Sequence, residues 1–209
     1  MKKTRKLSLL AVFFILSLNI GFAQKDSIHF RIPHQISVEF GYRYSFYQHT
    51  YLGTDGNYTT DAALMNRATS GVGILADYGW QLGGLDGKKP ALYLTIPMGY
   101  TFLLPDDPTS KRIGMLNYGW TIRHDLATKD KKIIPFVGYG LFLSNMSVAG
   151  VPGSVSGHHT QFEGGLNFTT TTKLIYFVKI NGSYSSYPRL NYNKSLHFMY
   201  ADLRVGVRF

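Results

Sequence analysis

The sequence predicts an all-β fold, an eight-stranded antiparallel up-and-down transmembrane β-barrel, on three observations. Eight segments of about 12 to 15 residues alternate apolar and polar side chains residue by residue, as a strand does when its two faces meet different media. After residue 23 no uninterrupted apolar run reaches the ~20 residues of a spanning helix. The connections between the segments alternate long and short, as in a meander that crosses a membrane and returns.

The first 23 residues stand apart. A basic head (Lys2, Lys3, Arg5, Lys6), an apolar run from Leu7 to about Leu18 and the small-residue end Gly21-Phe22-Ala23 make a secretory signal peptide. The run is too short for a retained membrane helix. Residues 24–34 are expected to form a periplasmic N-terminal segment and residues 35–209 a single barrel domain. With no cysteine, lipoprotein anchoring, disulfides and thiolate metal sites are excluded. The formal charge of +10 falls to about +6 without the leader. The remaining lysines gather in short connections (Lys88 and Lys89; Lys129, Lys131 and Lys132; Lys173) rather than in a basic stretch interleaved with aromatics. Nucleic acid is therefore not an expected partner, whereas anionic headgroups near solvated turns are.

The first strand, Gln35 to Tyr47, sets Ile36, Val38, Phe40, Tyr42, Tyr44 and Phe46 against Ser37, Glu39, Gly41, Arg43 and Ser45. The second, Thr69 to Leu82, sets Val72, Ile74, Ala76, Tyr78, Trp80 and Leu82 against Gly71, Gly73, Asp77, Gly79 and Gln81. In the third, Ala91 to Leu104, an apolar series from Leu92 to Phe102 opposes Tyr93, Thr95, Pro97, Gly99 and Thr101; Pro97 lacks a ladder donor, so a bulge or local break is expected there. The fourth, Ile113 to Leu126, places Leu116, Tyr118, Trp120 and Ile122 opposite Asn117, Gly119, Thr121, Arg123 and Asp125.

The fifth, Ile133 to Ser144, is apolar on both faces because Phe136 and Phe142 join Val137, Tyr139, Leu141 and Leu143, with Gly138 and Gly140 leaving room. The sixth, His159 to Thr171, opposes Phe162, Leu166 and Phe168 to Gln161, Glu163, Gly165 and Asn167. The seventh, Lys173 to Ser186, opposes Leu174, Tyr176, Val178, Ile180 and Tyr184 to Lys179, Asn181 and Ser183. The eighth, Ser195 to Phe209, opposes His197, Met199, Ala201, Leu203, Val205, Val207 and Phe209 to Asp202, Arg204, Gly206 and Arg208.

An even strand number puts both termini in the periplasm and the longer connections outside: Gln48–Ala68 with Asn57 and Asp61, Pro105–Arg112, Asn145–His158 with the flexible Val148–Gly157 segment, and Tyr187–Lys194. The shorter ones, Gly83–Pro90, Ala127–Lys132 and a tight turn near Thr172, are periplasmic.

Alternation alone does not say which face points inward. A soluble lipocalin-like carrier has its apolar face inside. Here the apolar series is rich in aromatics near strand ends (Tyr42, Tyr44, Trp80, Tyr100, Trp120, Tyr184), as interfacial girdles require. The polar series is rich in small residues and poor in charge, which suits a narrow lumen. Its ions fall into pairs: antiparallel closure of the first and last strands brings Glu39 toward Arg204 and Arg43 toward Asp202, and Glu163 lies diagonal to Lys179. Together with Asp77, Arg123, Asp125 and Arg208 they form the predicted lumen charge network, since an unpaired buried charge is costly. Independent hydration in an open channel is the alternative.

With signal peptide, eight amphipathic strands and terminal Phe209 in place, the chain resembles the small eight-stranded outer-membrane β-barrel proteins of Gram-negative bacteria, of the outer membrane protein beta-barrel domain kind. The resemblance covers Gln24 to Phe209 and is one of pattern. It implies residence in the cell outer membrane, contact with its lipid, and Phe209 as the signal read by barrel-assembly machinery.

Chemistry-bearing residues are few. His158-His159 beside Glu163 is the densest histidine group, but adjacent strand residues point oppositely, so no metal site is expected. Ser195 and His197 share the lipid side of the last strand, and Ser156 with His158 and His159 lies near the outer rim; either set supplies a hydroxyl and a base, without an orienting carboxylate. No phosphate loop or dinucleotide signature occurs, so no cofactor is expected. The expectation is a monomeric barrel with a side-chain-filled lumen, its outer loops meeting an external partner or coating the surface. A narrow solute passage and a lipid-modifying enzyme are the alternatives.

Overall fold

The computed structural model describes residues 33–52, 70–85, 89–105, 111–150, 152–170, 174–188 and 194–209. The predicted leader, Asn57, Asp61 and the turn at Thr172 lie outside the described residues. The strands are β1 (His34–Leu52), β2 (Ser70–Gly83), β3 (Leu92–Leu104), β4 (Ile113–Asp125), β5 (Ile133–Val148), β6 (Val155–Thr169), β7 (Ile175–Tyr187) and β8 (Lys194–Arg208). Each pairs antiparallel with the next, and β8 returns to β1, so the sheet closes as a barrel without a free edge. At the seam Ile36 and Phe209 exchange two backbone hydrogen bonds of 2.9 and 3.0 Å.

The predicted inside and outside are the observed ones. Phe162, Ile180 and Phe40 are 67%, 64% and 61% exposed on the outer wall, while Glu39 is 0% exposed within. A lipocalin-like arrangement is therefore excluded. The outer wall carries Phe40, Ile74, Ile180, Leu203 and Val205 at mid-height. Tyr78 and Trp80 lie toward the end that bears the start of β1 and the end of β8, and Tyr44, Phe46, Phe102 and Tyr184 toward the opposite end. An outer surface this apolar is stable in hydrocarbon and not in water, which makes the protein an integral membrane barrel.

Three local features depart from the simple pattern. Pro97 stands opposite Asp77 with no shift of register toward β2, but toward β4 the ladder lapses between Thr95↔Thr121 and Met98↔Tyr118 and resumes unshifted. Proline thus gives the expected break without a bulge, because only every second residue donates toward a given neighbour. Bulges occur elsewhere, at Ser45/Tyr47 against β8 and at Gln81/Gly83 against β3. The first puts Phe46 and Tyr47 both on the outer wall, with the Ser45 hydroxyl donating to the Tyr47 carbonyl at 3.2 Å. Finally, the predicted long connection Asn145–His158 is mostly strand: Asn145↔Ser156 and Met146↔Val155 extend the β5–β6 ladder. Polar Asn145 and Ser156 suggested a loop, yet their side chains bond each other across the ladder at 2.7 Å.

Candidate functional site

Inward-facing side chains fill the lumen in two chambers. The chamber nearer the chain termini holds the charges. Among the described residues the buried charged ones are Glu39, Arg43, Asp77, Arg123, Asp125, Glu163, Lys179, Asp202, Arg204 and Arg208, the same ten that the sequence assigned to the lumen, five of each sign. Equal numbers let the interior be neutral without imported counterions.

Most of them join one chain of contacts. Arg43 Nε meets Asp202 Oδ1 at 2.6 Å and its Nη2 meets Oδ2 at 2.8 Å, a bidentate pair across the β1–β8 seam. Asp202 also holds Arg204 Nη2 at 3.3 Å, and Arg204 Nη1 lies 3.9 Å from Glu39. The closer partner of Glu39 is Lys179 at 2.9 Å, which also reaches Glu163 at 2.8 Å. Thus Arg43–Asp202 and Glu163–Lys179 pair as the register predicts, whereas Glu39 is taken chiefly by Lys179 and only distantly by Arg204. The reason is that β7 and β1 flank β8, where Gly206 opposite Glu39 carries no side chain, so Lys179 reaches over β8 to Glu39; a reading of adjacent strands alone does not see it.

A second group lies nearer the terminal mouth. Arg123 Nε is 4.0 Å from Asp125, and Arg123 Nη2 donates to Gln35 at 3.1 Å. Asn167 bridges onward, donating to Asp125 at 3.3 Å and accepting from Arg208 Nη1 at 3.2 Å. Asp77 takes the Ser37 hydroxyl. At the rim, Lys129 donates to Gln81 at 2.6 Å, and desolvation there holds its ammonium below the ordinary lysine pKa, with Asp125 pulling the other way. Around Glu39, Asp77, Arg123, Lys179 and Arg208 only about 10 Å3 of cavity remains, close to the room of a single water.

The chamber at the other end was not foreseen. Leu103, Ile113, Met115, Met146, Tyr187, Leu196, Phe198 and Tyr200 pack there as one buried apolar cluster. Phe198 and Tyr200 stack with centroids 5.4 Å apart, and Arg43 lies 4.5 Å over the Tyr200 ring, so a cation–π contact joins the two chambers. The signal was present. Continuing the inward parity of β3, β4 and β8 past Thr101, Asn117 and Asp202 lands on Leu103, Met115 and Tyr200. Phe136 and Phe142 of the doubly apolar fifth strand also point inward, Phe142 against Gly140.

The candidate chemical groups separate. His159 is buried, bonded to Ser185 Oγ at 2.6 Å and edge-on to Phe142, while His158 faces out. Among the described residues no three metal-ligating side chains converge. Ser156 bonds Asn145 rather than a histidine. Ser195 Oγ does meet His197 Nε2, at 3.0 Å, and His197 Nδ1 meets the Tyr184 hydroxyl at 2.6 Å with the two rings stacked. The same histidine–tyrosine unit recurs at the opposite rim, where Tyr78 bonds His34 Nδ1 at 2.6 Å without any serine. Phe209 is exposed at the terminal rim.

No family model and no curated protein matches the sequence. Solved structures similar to this chain include Neisserial surface protein A (14% identity, 84% of this chain and 95% of that one, TM-score 0.49). They also include the outer membrane protein OprG from Pseudomonas aeruginosa (9%, 85% and 97%, 0.47). A third is Ail, the attachment invasion locus protein of Yersinia pestis (12%, 85% and 100%, 0.36). The membrane setting rests on the distribution of this chain's own side chains.

Proposed function

We propose that the protein is a monomeric outer-membrane barrel with a sealed lumen, serving a structural or surface-interaction role rather than passage of solutes. The observation that carries this reading is the filling of the lumen: a neutral charge network with about 10 Å3 to spare, capped by an apolar plug. The chain ends then lie in the periplasm and the β1–β2, β3–β4, β5–β6 and β7–β8 connections outside, where they are the surface offered to an external partner. Complete strand closure supports a monomer, and exposed Phe209 is positioned for barrel-assembly machinery. The test is the refolded full chain in planar bilayers. No stepwise current is expected, together with a folded band that resists detergent until boiled; stepwise ion current would instead establish a narrow channel.

A second reading is a lipid-modifying enzyme using Ser195 as nucleophile and His197 as base, oriented by Tyr184, on the outer wall at leaflet height. The 3.0 Å Ser195–His197 contact favours it. One observation weighs against it: the serine-free His34–Tyr78 unit fits an interfacial girdle. Lipid acyl composition unchanged by His197→Ala is the expected outcome.

A further inference from the structure

At the terminal mouth, bordering the charge network, Tyr93, Asn167, Thr169, Thr170, Lys129 and Arg208 surround a cavity of about 230 Å3. Arg208 is the residue common to the lining of this cavity and of the small central one, so it forms the floor between them. It is 4% exposed, its Nε has no hydrogen-bond partner, and among the described residues no carboxylate lies within 4.0 Å of its guanidinium. Its polar contact is Asn167, and the ring of Phe177 backs it at 5.0 Å. A buried guanidinium with a bonding direction unused is costly unless an anion completes it.

The acid that lines the same cavity, Asp125, is already engaged by Asn167 and faces Arg123. The cations at this cavity are Arg208 at the floor, which Asp77 and Asp125 offset electrostatically without a salt bridge among the described residues, and Lys129 at the rim, whose ammonium donates to Gln81. Access from the other end is closed by the plug, so the cavity is blind.

We propose that this mouth cavity binds a small oxyanion, a carboxylate or phosphate group, entering from the terminal side and held by the Arg208 guanidinium with Lys129 closing over it. The volume lies below that of pockets for drug-sized ligands and suits a short dicarboxylate or a phosphate. The group comes either from a free solute or from a lipid headgroup at the rim.

The test uses the full chain refolded in zwitterionic micelles, titrated calorimetrically with succinate and with inorganic phosphate. Saturable binding is expected. Arg208→Gln is expected to weaken it at least about tenfold, the loss of one charge-assisted hydrogen-bonding partner, and Lys129→Gln by a smaller factor. Lys131→Gln, in the same turn but exposed, should leave it unchanged. If Arg208→Gln does not fold, the Nε–H resonance of Arg208 in the unsubstituted protein serves instead and should shift on titration. Displacement of succinate by added phosphatidylglycerol assigns the site to a headgroup, and its persistence assigns it to a free solute. No saturable binding of either probe, or equal binding by the unsubstituted chain and both Arg208→Gln and Lys129→Gln, overturns the proposal.

Discussion

Between Arg43 and Arg208 the lumen is filled by ten charges in balance, whereas from Tyr200 to Leu196 it is filled by aromatic, aliphatic and methionine side chains with no charge among them. Both chambers exclude water, but by different physics. In the first, each ion is stable only beside its partners, so energy resides in matching. In the second it resides in volume, and neighbours can partly refill a gap. A barrel that used charges alone would leave small polar gaps that connect; one that used apolar side chains alone would lose the directional contacts that set strand register. The seam pair Arg43–Asp202, stacked beneath Tyr200, is where one regime hands over to the other.

The largest effect should come from breaking the matching. Lys179→Met leaves Glu39 and Glu163 facing each other across the lumen and should cost about 3–5 kcal/mol in urea unfolding of the vesicle-inserted barrel. Adding Glu163→Gln should restore most of that loss, because the double variant removes one charge of each sign and leaves Glu39 beside Arg204. A cost below about 1 kcal/mol, the scale of exposed pairs, would show that water already screens this chamber.

Phe198→Ala, in the plug, should cost about 3 kcal/mol, the low end for a buried aromatic since Met115 and Met146 can shift into the space. No second substitution in the charge network should repair it. Conductance tests the two seals in series: neither Phe198→Ala with Tyr200→Ala nor Lys179→Met alone should pass stepwise current in planar bilayers, whereas the three substitutions together should. On the outer wall, Ile180→Lys at mid-height should cost about 2–3 kcal/mol, as a cation facing hydrocarbon does. A neutral result would mean that Ile180 does not meet lipid.

How much of this was legible in the sequence follows the same division. Alternation named the charged chamber residue by residue, since Glu39, Lys179 and Asp202 contrast sharply with their neighbours. The plug was missed because Leu103, Met115 and Phe198 share the outer wall's apolar character, so the contrast vanishes where both faces are apolar; only unbroken parity marks them as inward. The bulge at Ser45/Tyr47 and the long β5–β6 hairpin were also out of reach, because each depends on what the partner strand offers. Lys179 as chief partner of Glu39 depends on a reach over β8 to the next strand but one, which no pairwise register contains.

The smallest perturbations add one methyl group inside and one outside. A Cβ on Gly206 would stand 2.4 Å from Phe177 Cζ and 2.6 Å from the Val38 carbonyl oxygen, on the ring that separates Arg208 from Lys179. The ring can swing aside but the β1 carbonyl cannot, so the strands themselves must shift, and Gly206→Ala should cost about 2–3 kcal/mol by overpacking. Gly182, on the outer wall, has nothing within 4 Å of the same position. There Gly182→Ala should be neutral or stabilise by up to about 1 kcal/mol, through the reduced freedom of the unfolded chain. The sign difference between two glycines on adjacent strands, read from paired urea midpoints, tests the packed interior against the open wall with the least disturbance to either; equal shifts would mean that the lumen around Phe177 is looser than its geometry requires.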